Sequence, residues 1–121
     1  MSGNAVSTSM RNIPDVALVA DNVYIVADNG RDEPGVGGTS VAAPLWAGFI
    51  ALVNQQLSTN GGPPLGFPNP ALYAIGQGTN YALCFHDITT GNSTTSTSPT
   101  EFYAVPGFDL CTGLGTIGEA T

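Results

Sequence analysis

The 121-residue chain has no lysine and only two arginines, Arg11 and Arg31, against nine acidic residues, for a formal net charge of −7. So small a supply of cations leaves no electrostatic footprint for nucleic acid or for an anionic membrane surface. Long apolar runs are also missing. The longest uncharged apolar stretch, residues 41–53, is broken by Pro44 and Gly48 and is too short to span a bilayer. The first nine residues lack the basic and apolar regions of a secretory leader, so no signal peptide is expected in this sequence. Cysteine is limited to Cys84 and Cys111. Bridged, they would contribute about 3–4 kcal/mol through chain entropy and point to an oxidising compartment. Two free thiols are an equally ordinary outcome.

What is present suits one small domain over residues 1–121, or a piece of a larger one. A hydrophobic content of 42% permits a core, and 16 glycines with 9 prolines call for many turns. The acidic balance suits work in an acid medium, where protonating carboxylates relieves self-repulsion.

Residues 1–12 read as a polar lead-in. Residues 13–21 form an apolar run closed by Asp21-Asn22, the pattern of a buried strand. Residues 23–27 form a second strand, β-branched and aromatic, closed by Asp28-Asn29-Gly30. The Asp21-Asn22 joint predicts a tight hairpin or a bend between the two, and residues 31–35 a charged turn. From Ser40 to Leu57 apolar residues recur at helical spacing, with Pro44 tolerated near the start. The run is apolar nearly all round, which predicts a central helix with Trp46 and Phe49 as core or pocket wall. A Gly- and Pro-rich loop over 58–70 leads to a short helix at 70–75, with Asn69 as its cap. Residues 89–100 are low-complexity and predict a mobile surface loop, within which Asn92-Ser93-Thr94 fits an N-glycosylation acceptor pattern. Two or three strands cannot complete a doubly wound sheet. Exposed edges and apolar faces therefore predict self-association, or cover by a missing N-terminal part of the domain.

The first chemical signal is Gly37-Gly38-Thr39-Ser40-Val41-Ala42-Ala43-Pro44. It places the Ser40 hydroxyl where a glycine-flanked turn becomes a helix, beside free backbone N–H groups and the positive end of the dipole. A serine attacking a carbonyl needs that setting for its oxyanion. A lone Gly-Thr-Ser is also the mark of an ordinary helix cap. The second signal joins His86-Asp87-Ile88-Thr89 to the stretch from Ala104 to Gly115, whose Gly107-Phe108-Asp109 lies near its middle. Two carboxylates on glycine-rich turns can supply oxygen ligands to a hard cation, although an Asp at a turn commonly caps its own backbone. His86, beside one of these aspartates, reads as a structural hydrogen-bonder; calcium prefers oxygen to its nitrogen.

The string from Gly37 through Gln55, with Leu45-Trp46 where subtilisins continue His-Val, resembles the nucleophile segment of the sedolisins, the serine-carboxyl peptidases with a subtilisin-like fold. The later pair resembles the calcium-binding end of that family. The likeness runs from about Arg11 to Gly115. It implies an α/β chain, part of the three-layer subtilisin-like fold, with a few parallel strands, a central helix after the serine and calcium-binding C-terminal loops. The nucleophile segment would be 35–57 and the calcium-loop segment 84–115. Ser40 would be the nucleophile. Asp87 and Asp109 would bind calcium through side chains, and Ile88, Val105 and Gly107 through carbonyls, Val105 standing where many members have glycine. The substrate would be a peptide or protein, hydrolysed in acid outside the cell by the parent protein. The family's upstream Glu–Asp base pair and oxyanion Asp have no motif-matched counterpart here. Two other readings stay open: a free-standing small esterase or glycosidase built from that remnant, and a non-catalytic, calcium-stabilised module.

Overall fold

The computed structural model describes residues 6–118, in two compact units. One is residues 18–67; the other combines the described residues up to 17 with those from 68 onward. The result is a small α/β architecture with short antiparallel sheets and one main helix.

In the 18–67 unit, β1 (Val23–Ala27) pairs antiparallel with β2 (Arg31–Val36), Val26 opposite Asp32 and Ala27 opposite Arg31, with an irregularity between Val23 and Ile25. Asp28, Asn29 and Gly30 turn the chain at φ 44°, 64° and 104°, and the Gly30 N–H donates to the Ala27 carbonyl at 2.9 Å. These residue types accept the left-handed region that most side chains avoid. The hairpin therefore forms one turn later than expected. Residues 31–35 are strand rather than turn, residues 13–20 form no strand, and Asn22 (φ 53°) makes only a bend. The expected parallel strands are likewise corrected: a three-residue connection can join neighbours only antiparallel, since parallel pairing needs a long crossover.

The main helix, α1 (Thr39–Thr59), starts and stops close to where the periodicity placed it. Gly38 occupies its cap position, and no side chain caps it. Past its end, Gly62 N–H donates to the Leu57 carbonyl at 2.8 Å and Gly61 turns at φ 74°. Trp46 meets Phe49 edge to face at 5.6 Å. The expectation of a central helix is not met within these residues: none of α1 is buried, and Leu52 is 65% exposed. A helix of this length spans about 30 Å, more than one short ribbon can cover.

In the other unit, α2 (Asn69–Gly76) has Pro70 in its first turn as expected, but Pro68 rather than Asn69 holds the cap position. After α3 (Tyr81–Cys84), β3 (Phe85–His86) pairs antiparallel with β4 (Thr116–Ile117). The buried side chains of this unit are those of Phe85, Ala104, Leu114 and Asp109. Residues 15–17 are laced to the 114–115 strand entry: Leu114 N–H donates to the Asp15 carbonyl and Ala17 N–H to the Gly115 carbonyl, both at 2.9 Å. Gly113 (φ 63°) and Gly115 (φ 88°) make this possible, because a Cβ on either would collide with the Asp15 or the His86 carbonyl. Residues 91–104 double back on themselves, with Asn92 bridged to Tyr103 and Thr95 to Ser98. The cysteines are unbridged, Cys111 Sγ lying 3.2 Å from Ser93 Oγ. No helix among the described residues is long and apolar enough to cross a membrane.

Candidate functional site

The nucleophile segment is shaped by its two glycines. Gly38 N–H donates to the Ala20 carbonyl at 2.7 Å, which pins the start of α1 to the residue before the Asp21-Asn22 bend. A Cβ on Gly37 would stand 3.0 Å from Asp21 Oδ1 and 3.3 Å from the Ala20 carbonyl oxygen. A Cβ on Gly38 would stand 3.2 Å from Ser40 Oγ, and Gly38 takes φ 123°, a conformation side chains resist. Ser40 is exposed in the first turn, where Val41 N–H reaches the Gly38 carbonyl at 2.9 Å. Neither Thr39 nor Ser40 acts as a cap. The hydroxyl is thus reachable from solvent at the positive end of a helix dipole. Among the described residues, no acid or imidazole is hydrogen-bonded to it.

The second cluster belongs to the other unit and is built on the 105–113 loop. Asp109 is 1% exposed. Its Oδ1 accepts from Cys111 N–H at 2.8 Å, Thr112 N–H at 2.7 Å and the Thr112 hydroxyl at 3.1 Å. Its Oδ2 accepts from Val105 N–H at 2.9 Å. Asp87 Oδ2 accepts from Gly107 N–H at 2.8 Å, so a five-residue stretch is held by both carboxylates. The other oxygen, Asp87 Oδ1, is buried without any hydrogen-bond partner. Ile88 follows half-buried, and Gly107 turns at φ 80°. Val105 is not among the residues with positive φ, so a side chain there costs no backbone strain.

Tyr81 and Thr112 were not singled out from the sequence. Tyr81 donates its hydroxyl to the Leu114 carbonyl at 3.1 Å. Its pKa is pushed up to about 12, first by burial and then by the Asp87 and Asp109 carboxylates. Thr112 had a legible signal, since an Asp followed three residues later by Thr is a local side-chain-to-backbone motif. Asp15, whose place ahead of Ser40 gives it no catalytic role, serves the fold of this unit. Its carboxylate accepts from the Tyr73 hydroxyl at 2.7 Å and pairs with Arg11. His86 is exposed on β3 opposite Thr116.

A buried carboxylate oxygen with no donor is costly, and a cation is one remedy. No group of three or more His, Cys, Asp or Glu converges among the described residues, so any cation here would depend on carbonyl oxygens as well as the two carboxylates.

Over about nine-tenths of its length the chain is homologous to peptidases of the sedolisin family. It is 41% identical over 116 residues to kumamolisin of Bacillus sp. (strain MN-32), covering 94% of this chain. It is 41% identical over 106 residues to tripeptidyl-peptidase sed1 of Aspergillus fumigatus, and 35% identical over 114 residues to human tripeptidyl-peptidase 1, covering 88% and 91% of this chain. No family model matches. The chain spans about a fifth of the length of these relatives: 19%, 15% and 19% respectively.

Proposed function

We propose that this chain carries the nucleophile and the calcium-binding end of an acid-acting serine-carboxyl endopeptidase with the three-layer subtilisin-like fold. The observation that carries the reading is the exposed Ser40 in the first turn of α1, kept clear by Gly37 and Gly38. Its relatives are peptidases by name. Ser40 Oγ attacks the scissile carbonyl, and its proton passes to a carboxylate base from a segment beyond these residues. The oxyanion draws on N–H groups at the helix start. Collapse of the tetrahedral adduct expels the amine, which takes up that proton. Water then cleaves the acyl-serine ester by the same route. A carboxylate base fits acid conditions, because an imidazole would already be charged and unable to accept a proton. The −7 net charge and absence of lysine agree with work in acid, which by analogy with the family would take place outside the cell.

Calcium would bind between the Asp87 and Asp109 side chains, with carbonyls of Ile88, Val105 and Gly107 completing the shell. The support is the unpartnered buried Asp87 Oδ1. There the ion would neutralise the two carboxylates and brace the 105–113 loop; it takes no part in the bond-breaking steps.

The test is peptide hydrolysis at pH 3–5 by the protein expressed from the whole reading frame that contains this sequence. Ser40→Ala is expected to lower kcat at least about 1,000-fold while the protein still folds. Unchanged turnover in that variant sinks the assignment of the nucleophile. Ser40-dependent cleavage of simple esters by the 121 residues alone would instead favour a self-sufficient hydrolase.

A further inference from the structure

The hairpin of β1 and β2 has an open end, and Ser40 lies just beyond it. Val23 and Val36 are the paired residues nearest that end. Ahead of Val23 come Ala20, Asp21 and Asn22; after Val36 come Gly37 and Gly38, and α1 begins at Thr39. Past the ladder, whatever joins these two short segments sets where α1 starts. One tie is the backbone bond from Gly38 N–H to the Ala20 carbonyl at 2.7 Å. The other is a side chain. Asp21 Oδ1 accepts from Asn22 N–H at 2.9 Å, which fixes the bend where Asn22 takes φ 53°. Short polar side chains that bond nearby backbone favour turns of this kind over strand or helix. The same oxygen occupies the space beside Gly37: a Cβ there would stand 3.0 Å from Asp21 Oδ1 and 3.6 Å from Asp21 Cα.

We propose that Asp21 is a positioning residue for Ser40. Its carboxylate fixes the bend at Asp21-Asn22, so that the Ala20 carbonyl meets Gly38 N–H, and its Oδ1 seats against the bare Gly37. Gly38 holds the cap position of α1 and Ser40 stands in the first turn, so the nucleophile is placed through the two glycines that Asp21 aligns. The effect is one of geometry and not of charge. It needs an acceptor oxygen two bonds beyond Cβ, which Asn supplies and Ala and Glu do not. Asp21 neither takes the Ser40 proton nor touches substrate. Every partner in the tie lies within residues 20–38, so it draws on no other part of the parent protein. A nucleophile misplaced by about 1 Å can lose about 100-fold in rate. The proposal rests on the reading of Ser40 as the nucleophile.

The test is steady-state peptide hydrolysis in acid by the protein expressed from the whole reading frame, with its melting temperature measured alongside. Asp21→Ala is expected to lower kcat at least about tenfold and to change KM less than about threefold, because the nucleophile moves and the substrate's cleft does not. Asp21→Asn keeps the acceptor and should retain at least about half of kcat, with the pH profile unshifted. Gly37→Ala should lower kcat about fivefold or more by itself, but less than about twofold when added to Asp21→Ala, where the oxygen it would strike is gone. Should Asp21→Ala fail to fold, Asp21→Glu keeps the charge, misplaces the oxygen by one methylene and should show the same loss of kcat. Unchanged kcat in Asp21→Ala or Asp21→Glu overturns the proposal, and if Ser40→Ala still silences the enzyme the nucleophile stands without it. A folded Asp21→Asn as slow as Asp21→Ala also overturns it and gives the effect to charge. So do losses that simply multiply in the double variant, since the two residues then share no contact. A raised KM at constant kcat overturns it and moves Asp21 to substrate binding. Full turnover by Ser40→Ala removes the ground from both readings.

Discussion

Asp109 is one side chain serving four donors drawn from Val105, Cys111 and Thr112. Bonds to a charged acceptor are worth more than neutral ones, and the donors left behind on its removal would be partly buried. Asp109→Ala is therefore expected to cost about 3 kcal/mol or more, read as a lowered denaturant midpoint; a loss under about 0.5 kcal/mol would show that the loop stands without it. Gly38 governs the nucleophile in a comparable way. Gly38→Ala forces a side chain into φ 123° and sets its Cβ 3.2 Å from Ser40 Oγ. Backbone strain of this kind costs about 1–3 kcal/mol. Peptidase activity of the full protein should fall at least tenfold, and activity equal to that of the unaltered protein would show that Ser40 does not need the cleared space. Both residues could be marked from the sequence, Gly38 by its place ahead of Ser40 and Asp109 by the turn around it. Tyr81 could not, because nothing in its own sequence neighbourhood tells a phenol that it will be buried near the Asp87 and Asp109 carboxylates.

Elements proved legible in proportion to how local their causes are. The periodicity from Ser40 to Leu57 and the proline after Asn69 announce α1 and α2 within a residue or two, since helix bonds and caps are made among near neighbours. The ribbon was misplaced by one turn because two turn-formers competed, Asp21-Asn22 and Asp28-Asn29-Gly30. The second prevails by adding a glycine at φ 104°. Residues 13–20 have strand composition and no strand: Asp15 and Ala17 spend backbone groups on Leu114 and Gly115, about a hundred positions away in sequence, and Ala20 spends its carbonyl on Gly38. Between α2 and that segment lies a pH-sensitive tie. Tyr73 donates to Asp15, and its pKa is pushed up to about 12 by burial first and by that carboxylate second. The folded state thus keeps a proton that the unfolded chain gives up near pH 10. Stability from this group is whole below about pH 10 and is lost as pH rises through about 12. Melting temperature should drop across that window, and the drop should be smaller in Tyr73→Phe; an identical slope in the two proteins would remove Tyr73 from the account.

At the scale of the molecule, family membership was readable because short strings around Ser40 and Asp109 carry it, whereas the burial of α1 was not, since that depends on what lies against it. The proposed calcium binding can be tested on the protein without any substrate. Millimolar calcium should raise the melting temperature, as any ligand selective for the folded state does. A chelator should reverse the rise, and Asp87→Ala should abolish it; a melting point indifferent to both additions would leave Asp87 Oδ1 without its proposed partner. The way Asp109 gathers the 105–113 loop also decides where this chain can change length over evolution. One residue more or fewer between Val105 and Thr112 would pull several donors off a single acceptor at once, so that span is fixed in size. Residues 94–101 hang beyond the Asn92–Tyr103 bridge and touch no such hub, and there insertions and trimming can accumulate at little expense.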